Sequence, residues 1–295
     1  MTKGNLFLIP RLVGLLLATT APFATAAPPA PVLTSLPATT TSNPETVTGT
    51  AAVGTEVRLY VNGTLMELVT VPSGGSFSAK IPLFDGGNAV LAKAWDGVEE
   101  SAASNTLTSD YTNTLPRNQS GTISTDTVWT PGGGAYHVTA ALTVAAGVEF
   151  QLMPGTQVLV DASYAVTIHG TLVARGTSSS PVLIGSGRAT PAPSNWPGLR
   201  FESGSYADLE HAVVQHATYG LRFLNSSGTV RSSEVRYSAT GVRVEAGSSP
   251  SFTEGFDIHQ NTTGVQVIGN DIAAQDPQPV FNGGSIRNNS QSNYR

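Results

Sequence analysis

The sequence contains no cysteine. That excludes a disulfide framework, a thiolate nucleophile and thiolate-ligated zinc. Charge is also scarce: Asp, Glu, Lys and Arg make up 12% of 295 residues, against about a quarter in an average domain. The formal net charge of −5 argues against a basic nucleic-acid-binding surface. No lysine follows Lys93, so a lysine base is excluded from the C-terminal two-thirds of the chain. Long apolar runs are missing too. The stretch Leu12–Leu17, broken only by Gly14, falls far short of the roughly 20 residues a spanning helix needs. Yet 40% of the residues are hydrophobic, enough to bury a core, and the length admits one large domain or two ordinary ones.

Residues 1–26 read as a secretory signal. Lys3 and Arg11 provide the positive end, Leu12–Leu17 the apolar run, and Ala24-Thr25-Ala26 a small-x-small cleavage site. The expected mature chain is exported to the cell surface, the medium or the periplasm. Losing Lys3 and Arg11 makes its formal charge two units more negative than −5. No cysteine follows the cleavage site to carry a lipid.

Residues 27–44, rich in Pro, Ala and Thr, read as a linker. From Glu45 to Tyr111 the hydrophobic period is two. Runs such as Glu56–Val61 and Phe77–Ile81 are separated by Asn62-Gly63, Ser73-Gly74-Gly75 and Asp85-Gly86-Gly87-Asn88, which predicts a small antiparallel sandwich. Val47-x-Gly49-Thr50-Ala51, Val61-Asn62-Gly63, Gly75-Ser76-Phe77, Gly87-Asn88 and Ala94-Trp95-Asp96 give this stretch a resemblance to the immunoglobulin-like accessory domains of secreted bacterial proteins. That resemblance implies a spacer or binding module. Residues 112–120 read as a second linker.

Beyond residue 120 the sequence repeats. Gly198, Gly220, Gly241 and Gly264 recur at intervals near 22, each followed by an apolar-polar-apolar triplet: Leu199-Arg200-Phe201, Leu221-Arg222-Phe223, Val242-Arg243-Val244 and Val265-Gln266-Val267. A further short strand follows around Leu209, Val230, Phe252 and Phe281. Three short strands per turn predict a parallel β-solenoid, in which each coil buries its apolar row only by stacking on the next, about 4.8 Å away. The run from Thr127-Val128-Trp129 through Val166-Thr167-Ile168-x-Gly170-Thr171-Leu172 to Trp196-x-Gly198-Leu199-x-Phe201 closely resembles right-handed parallel β-helix proteins of secreted bacterial origin. Pectate lyases, polygalacturonases and epimerases belong to that group, as do surface proteins of no known activity. The expected fold is therefore all-β: an immunoglobulin-like sandwich over 45–111, then a right-handed parallel β-helix over 121–295. Continuing the repeat places Ser292 at the glycine position and Asn293 in an apolar column. The last coil then reads as incomplete, with an open end that invites a protein partner or self-association.

The resemblance implies catalytic sets that this sequence lacks. There is no Asp-Asp pair, no Gly-His-Gly and no Tyr-Gly-x-Asp-Pro-His. The carboxylates most suited to catalysis are Glu234 and Asp257, one column on adjacent coils, at the spacing of a retaining glycosidase pair. A solvated face balanced by Arg231 and Arg236 is the simpler account, because catalysis also needs a raised pKa and a walled cleft. His211 and His216 fall on opposite faces of a regular strand, so no metal site is expected, and nothing calls for a cofactor. The stronger signal is cationic. Arg200, Arg222 and Arg243 share one outward column, and Gln215, Arg236, His259 and Arg287 share another. Stacked like charges repel unless relieved by counter-charges, for which Glu202 and Glu245 are placed, or by a ligand. Guanidinium forks suit carboxylates, so these columns read either as a solvated face or as a track for an acidic polysaccharide. The expected function is an exported, non-catalytic binding or adhesion module. The alternatives are a polysaccharide lyase or glycoside hydrolase, and a structural stalk. Residues 185–197 and 268–279 exceed the repeat and predict surface loops, with Trp196 a packing residue.

Overall fold

The computed structural model describes residues 26–269 and 276–295. The expected signal segment lies outside them but for Ala26, as does half of the loop expected over 268–279. The described residues form strands and turns with no helix. It follows that none is long and apolar enough to cross a membrane.

Eight strands precede residue 112: β1 (Val32–Ser35), β2 (Thr39–Thr40), β3 (Glu45–Thr50), β4 (Glu56–Val61), β5 (Thr64–Thr70), β6 (Ser76–Ile81), β7 (Gly86–Trp95) and β8 (Leu107–Tyr111). They form a three-stranded sheet β1-β3-β6 and a five-stranded sheet β2-β8-β7-β4-β5, antiparallel except where β2 joins β8. Alternation decides their inner faces. Val57, Leu59 and Val61 of β4 are fully buried while the residues between them are not, and they share one core with Val47, Phe77 and Ile81 of the other sheet. Asn62 and Gly63 both take positive φ, as a two-residue hairpin turn requires.

Strands fall within both expected linkers. β1 and β2 lie within 27–44, and Asn118–Ile123 within and beyond 112–120 is also a strand. The reason is side-chain clamping that composition does not reveal. The Asn105 amide exchanges two hydrogen bonds with the backbone of Leu33, and Leu33 itself is buried.

The remainder is a right-handed parallel β-solenoid of about seven coils and three faces. The first face is a seven-stranded sheet running from Thr127–Trp129 to Val280–Asn282. The second and third faces are joined by one long strand, Tyr136–Val144, whose two halves begin each of them. Asn118–Ile123 pairs with that long strand and covers its outer edge. Phe201, Phe223, Phe252 and Phe281 form an aromatic run through the interior, with Phe201 and Phe223 stacked at 4.9 Å and Phe252 and Phe281 at 4.7 Å. Trp129, stacked on Tyr136 at 4.2 Å, closes the core at the N-terminal end.

Corners between faces are short. His216, Tyr237, Gln260 and Asn288 hold positive φ at the turn from second to third face. Behind them a polar ladder climbs the interior. Ala217 N–H donates to Ser238 Oγ, Ser238 N–H to Asn261 Oδ1, and Asn261 N–H to Asn289 Oδ1. Asn261 is 2% exposed, and its Nδ2 also donates to the carbonyls of Val235 and His259. Asn261→Ala leaves the Ser238 N–H without its acceptor and takes one donor from the Val235 carbonyl. At about 1–3 kcal/mol per orphaned buried group, the expected loss is roughly 3 kcal/mol, read by urea denaturation.

The last coil departs from the sequence reading by one residue. Ser292 lies opposite Thr263 and Tyr294 opposite Val265, so Tyr294 rather than Asn293 occupies the apolar column. The final corner is one residue longer than the one below it, which shifts the chain from Ser292 onward.

Candidate functional site

The third face carries the first cationic column. Arg200 lies opposite Arg222, Arg222 opposite Arg243, and Arg243 opposite Gln266 on successive coils. Each flanking apolar residue points inward, so each arginine must point outward. The column is largely neutralised. Arg200 Nη2 donates to Glu202 at 2.9 Å, Arg222 Nε and Nη2 donate to the two oxygens of Glu245 at 3.2 and 2.9 Å, and Arg243 Nε donates to Glu245 as well. Three guanidiniums thus face two carboxylates, and one positive charge is left over.

Glu245 binds two successive coils together. Burial alone would push its carboxyl up, but the hydrogen bonds from Arg222 and Arg243 outweigh burial and hold it below the ordinary 4.5. A carboxyl lowered by folding contributes stability above its unfolded value, and that contribution is lost as pH falls through the folded value. Glu245→Gln is expected to cost roughly 2 kcal/mol at pH 7, the scale of hydrogen bonds to charged groups. The difference from the parent should shrink as pH falls below 4.5. Urea denaturation across that range checks it.

Beside this column stands Tyr219. Arg243 lies over its ring at 4.9 Å and donates to its hydroxyl at 3.4 Å. Tyr219, Pro197, Arg200, Thr218 and Arg222 line a recess on the third face. Arg200 Nε is buried and has no hydrogen-bond partner, which leaves a donor unsatisfied at that spot.

The second column stands on the second face, across the corner from the first. Gln215, Arg236, His259 and Arg287 are in register, as are Glu234, Asp257 and Ser285 two residues earlier. Arg236 donates to Glu234 at 2.7 Å and to Gln215 at 3.1 Å; Arg287 donates to Asp257. His259 is only 8% exposed, its Nε2 3.7 Å from both Glu234 and Asp257. It offers little surface to a ligand. The register places Glu234 and Asp257 side by side, but each already serves an arginine, an arrangement suited to holding coils together. The cation planes continue onto the corner, where Arg236 lies 5.4 Å over Tyr237 and Tyr237 stacks on His216.

Trp196 is fully buried and donates from Nε1 to the Gln215 carbonyl at 3.0 Å, so its role is packing. His211 and His216 occupy two different corners. Among the described residues, no group of three or more His, Asp or Glu is placed to hold a metal ion. Sequence reasoning missed Tyr219. The signal was present, since Tyr219 begins the strand that carries Arg222, but one aromatic in a corner has no repeat partner to mark it.

No curated protein and no solved structure matches the chain. One family model does: the pectate-lyase-like β-helix domain, over residues 121–286, a stretch that holds the first cationic column and all of the second except Arg287. That match spans more than half of the sequence, and the chain belongs to the pectate-lyase-like β-helix family.

Proposed function

We propose that this is an exported, non-catalytic module that binds an extended acidic polysaccharide along the third face. The observation that carries the reading is the in-register column Arg200–Arg222–Arg243 beside the Tyr219 recess, with Arg200 Nε unsatisfied. A polymer lying along the solenoid axis meets one guanidinium per coil, about every 4.8 Å. Its carboxylates supply the counter-charge that Glu202 and Glu245 leave incomplete, and the tyrosine offers an amphipathic wall. In this reading the N-terminal sheets are an immunoglobulin-like accessory domain. Residues 1–26 are a cleaved signal.

The test is gel retardation of residues 27–295 in polyuronate and in neutral glycan. Retardation by polyuronate alone, abolished by salt and by the triple variant Arg200→Ala, Arg222→Ala, Arg243→Ala, is the expected result. Glu245→Gln frees two arginines and should strengthen retardation several-fold even as it lowers stability. Equal retardation of the parent and the triple variant would remove the third face from consideration.

Family membership favours a second reading, a polysaccharide-cleaving enzyme. Release of reducing ends or of unsaturated oligouronides by the purified chain would decide for it.

A further inference from the structure

The first face of the solenoid meets the N-terminal sheets, and the two do not close on each other. They are tied at one side: the Asp85 carboxylate accepts from Thr130 Oγ1 and from the Gly132 N–H, and Lys80 pairs with Asp126 at 2.6 Å. Beyond those ties runs a groove. One wall is β5, the outermost strand of its sheet, which pairs with β4 and, among the described residues, has no hydrogen-bonded strand on its other side. Glu67 and Leu68 are consecutive and so point to opposite faces of β5; a groove that both line must follow the strand's free edge. The opposite wall comes from the solenoid strands Glu149–Leu152 and Thr171–Arg175, which contribute Glu149, Gln151, Val173 and Arg175. The groove continues to Lys80 and Asp126 at one end and to Thr177 and Glu210 at the other.

Its chemistry is unbalanced in one direction. Arg175 is committed to Asp208, which also holds Arg231. The Glu149 carboxylate and the Gln151 amide make no hydrogen bond among the described residues. Glu67 accepts only from its neighbour's N–H, at 3.1 Å. Burial pushes both glutamates above the ordinary carboxyl value. Glu67, Asp126 and Asp208 add repulsion at Glu149, and Arg175 relieves part of it. Leu65 and Leu68, 44% and 49% exposed, flank these acceptors with aliphatic surface. Neither wall offers an aromatic ring on which a sugar would stack.

We propose that this groove docks an extended peptide strand of a partner protein, adding to the free edge of β5 and seating a lysine or arginine between Glu67 and Glu149. The free backbone edge supplies main-chain hydrogen bonds, as in strand addition generally, and the pocket for alternate side chains supplies the specificity. The long aliphatic stem of the basic residue lies on Leu68 and Val173, and its charge relieves the two acids. The bulge at Met66, where Leu65 pairs with Tyr60 and Glu67 with Leu59, confines regular pairing to Glu67–Thr70. A short strand is therefore enough. This site is separate from the arginine columns and stands without them.

The experiment uses the chain from residue 27 onward and fluorescein-labelled nine-residue peptides of alternating Thr and Val, read by anisotropy at pH 7.5. The central residue is lysine, norleucine or glutamate. The lysine peptide is expected to bind at least tenfold more tightly than the norleucine peptide, and the glutamate peptide not at all. N-methylation of the lysine peptide at alternate backbone nitrogens should weaken it tenfold or more, a result obtained on unaltered protein. Glu67→Gln and Glu149→Gln should each weaken it severalfold while leaving polyuronate retardation unchanged. Equal binding of lysine and norleucine peptides, indifference to N-methylation, or binding of a glucosamine oligomer in place of every peptide would overturn the proposal.

Discussion

Gly198→Ala is expected to lower stability by roughly 3–5 kcal/mol, the combination of about 1–3 for overpacking and about 1–3 for backbone strain. Gly198 holds φ +106°, where only glycine is at ease, and a β-carbon there would lie 1.5 Å from the Tyr219 carbonyl oxygen of the next coil. Neither atom can yield, because both belong to backbone fixed by parallel pairing. The remaining glycines of the repeat share the second problem without the first. A β-carbon on Gly220 would sit 2.6 Å from the Gly241 carbonyl oxygen, and one on Gly241 2.6 Å from that of Gly264. Gly220→Ala and Gly241→Ala should therefore cost less than Gly198→Ala. Urea denaturation of the three variants gives the order. Equal losses would mean that the positive φ at Gly198 contributes nothing. Because Gly198 directly precedes the strand bearing Arg200, its variant should also lose whatever polyuronate retardation the parent shows.

Phe223→Ala is expected to cost about 3–5 kcal/mol, the range for emptying a buried aromatic site. Phe223 is fully buried, stacks on Phe201 and meets Phe252 edge-on at 6.3 Å, so its removal breaks the aromatic run in its middle. Neighbouring coils are held at their spacing by backbone pairing and cannot collapse into the void. Phe281→Ala is the internal comparison: that residue lies in the final coil and is only half-buried, so its loss should be markedly smaller. In a repeat protein each coil contacts only its neighbours, so the central variant should also lower cooperativity, seen as a smaller m-value. A stability loss below about 1 kcal/mol for Phe223→Ala would show that the site repacks.

Much of the solenoid is legible in the sequence because each coil repeats the same instruction. The triplets after each glycine state which residues face in and which face out, and the structure stacks Leu199, Leu221, Val242 and Val265 in that order. The partial neutralisation of the arginines is half legible. Arg200–Glu202 and Arg243–Glu245 are two residues apart within one coil. Arg222 has Leu224 at the corresponding place and reaches across to Glu245 instead, a contact that only the stacked geometry creates. The placement of the two cationic columns on separate faces is set by the corners at His216, Tyr237 and Gln260, whose positive φ no residue type there announces. The groove beside β5 was invisible for a different reason. Glu67 and Glu149 belong to different sheets, and no local period relates one sheet's edge to another's surface.

The coil geometry also bears on what the length of this molecule measures. Twenty-two residues drawn out as a strand would reach about 70 Å. Wound into one coil they advance the chain by only about 4.8 Å. A sequence shaped for distance, as a stalk is, gains little from winding. What winding multiplies is wall: every added coil lays down another rung of the same three faces without disturbing those below it. Length here counts rungs, and under the proposed binding role natural lengthening or shortening of the solenoid should change how many units of a polymer can be met, leaving the manner of meeting each one unaltered.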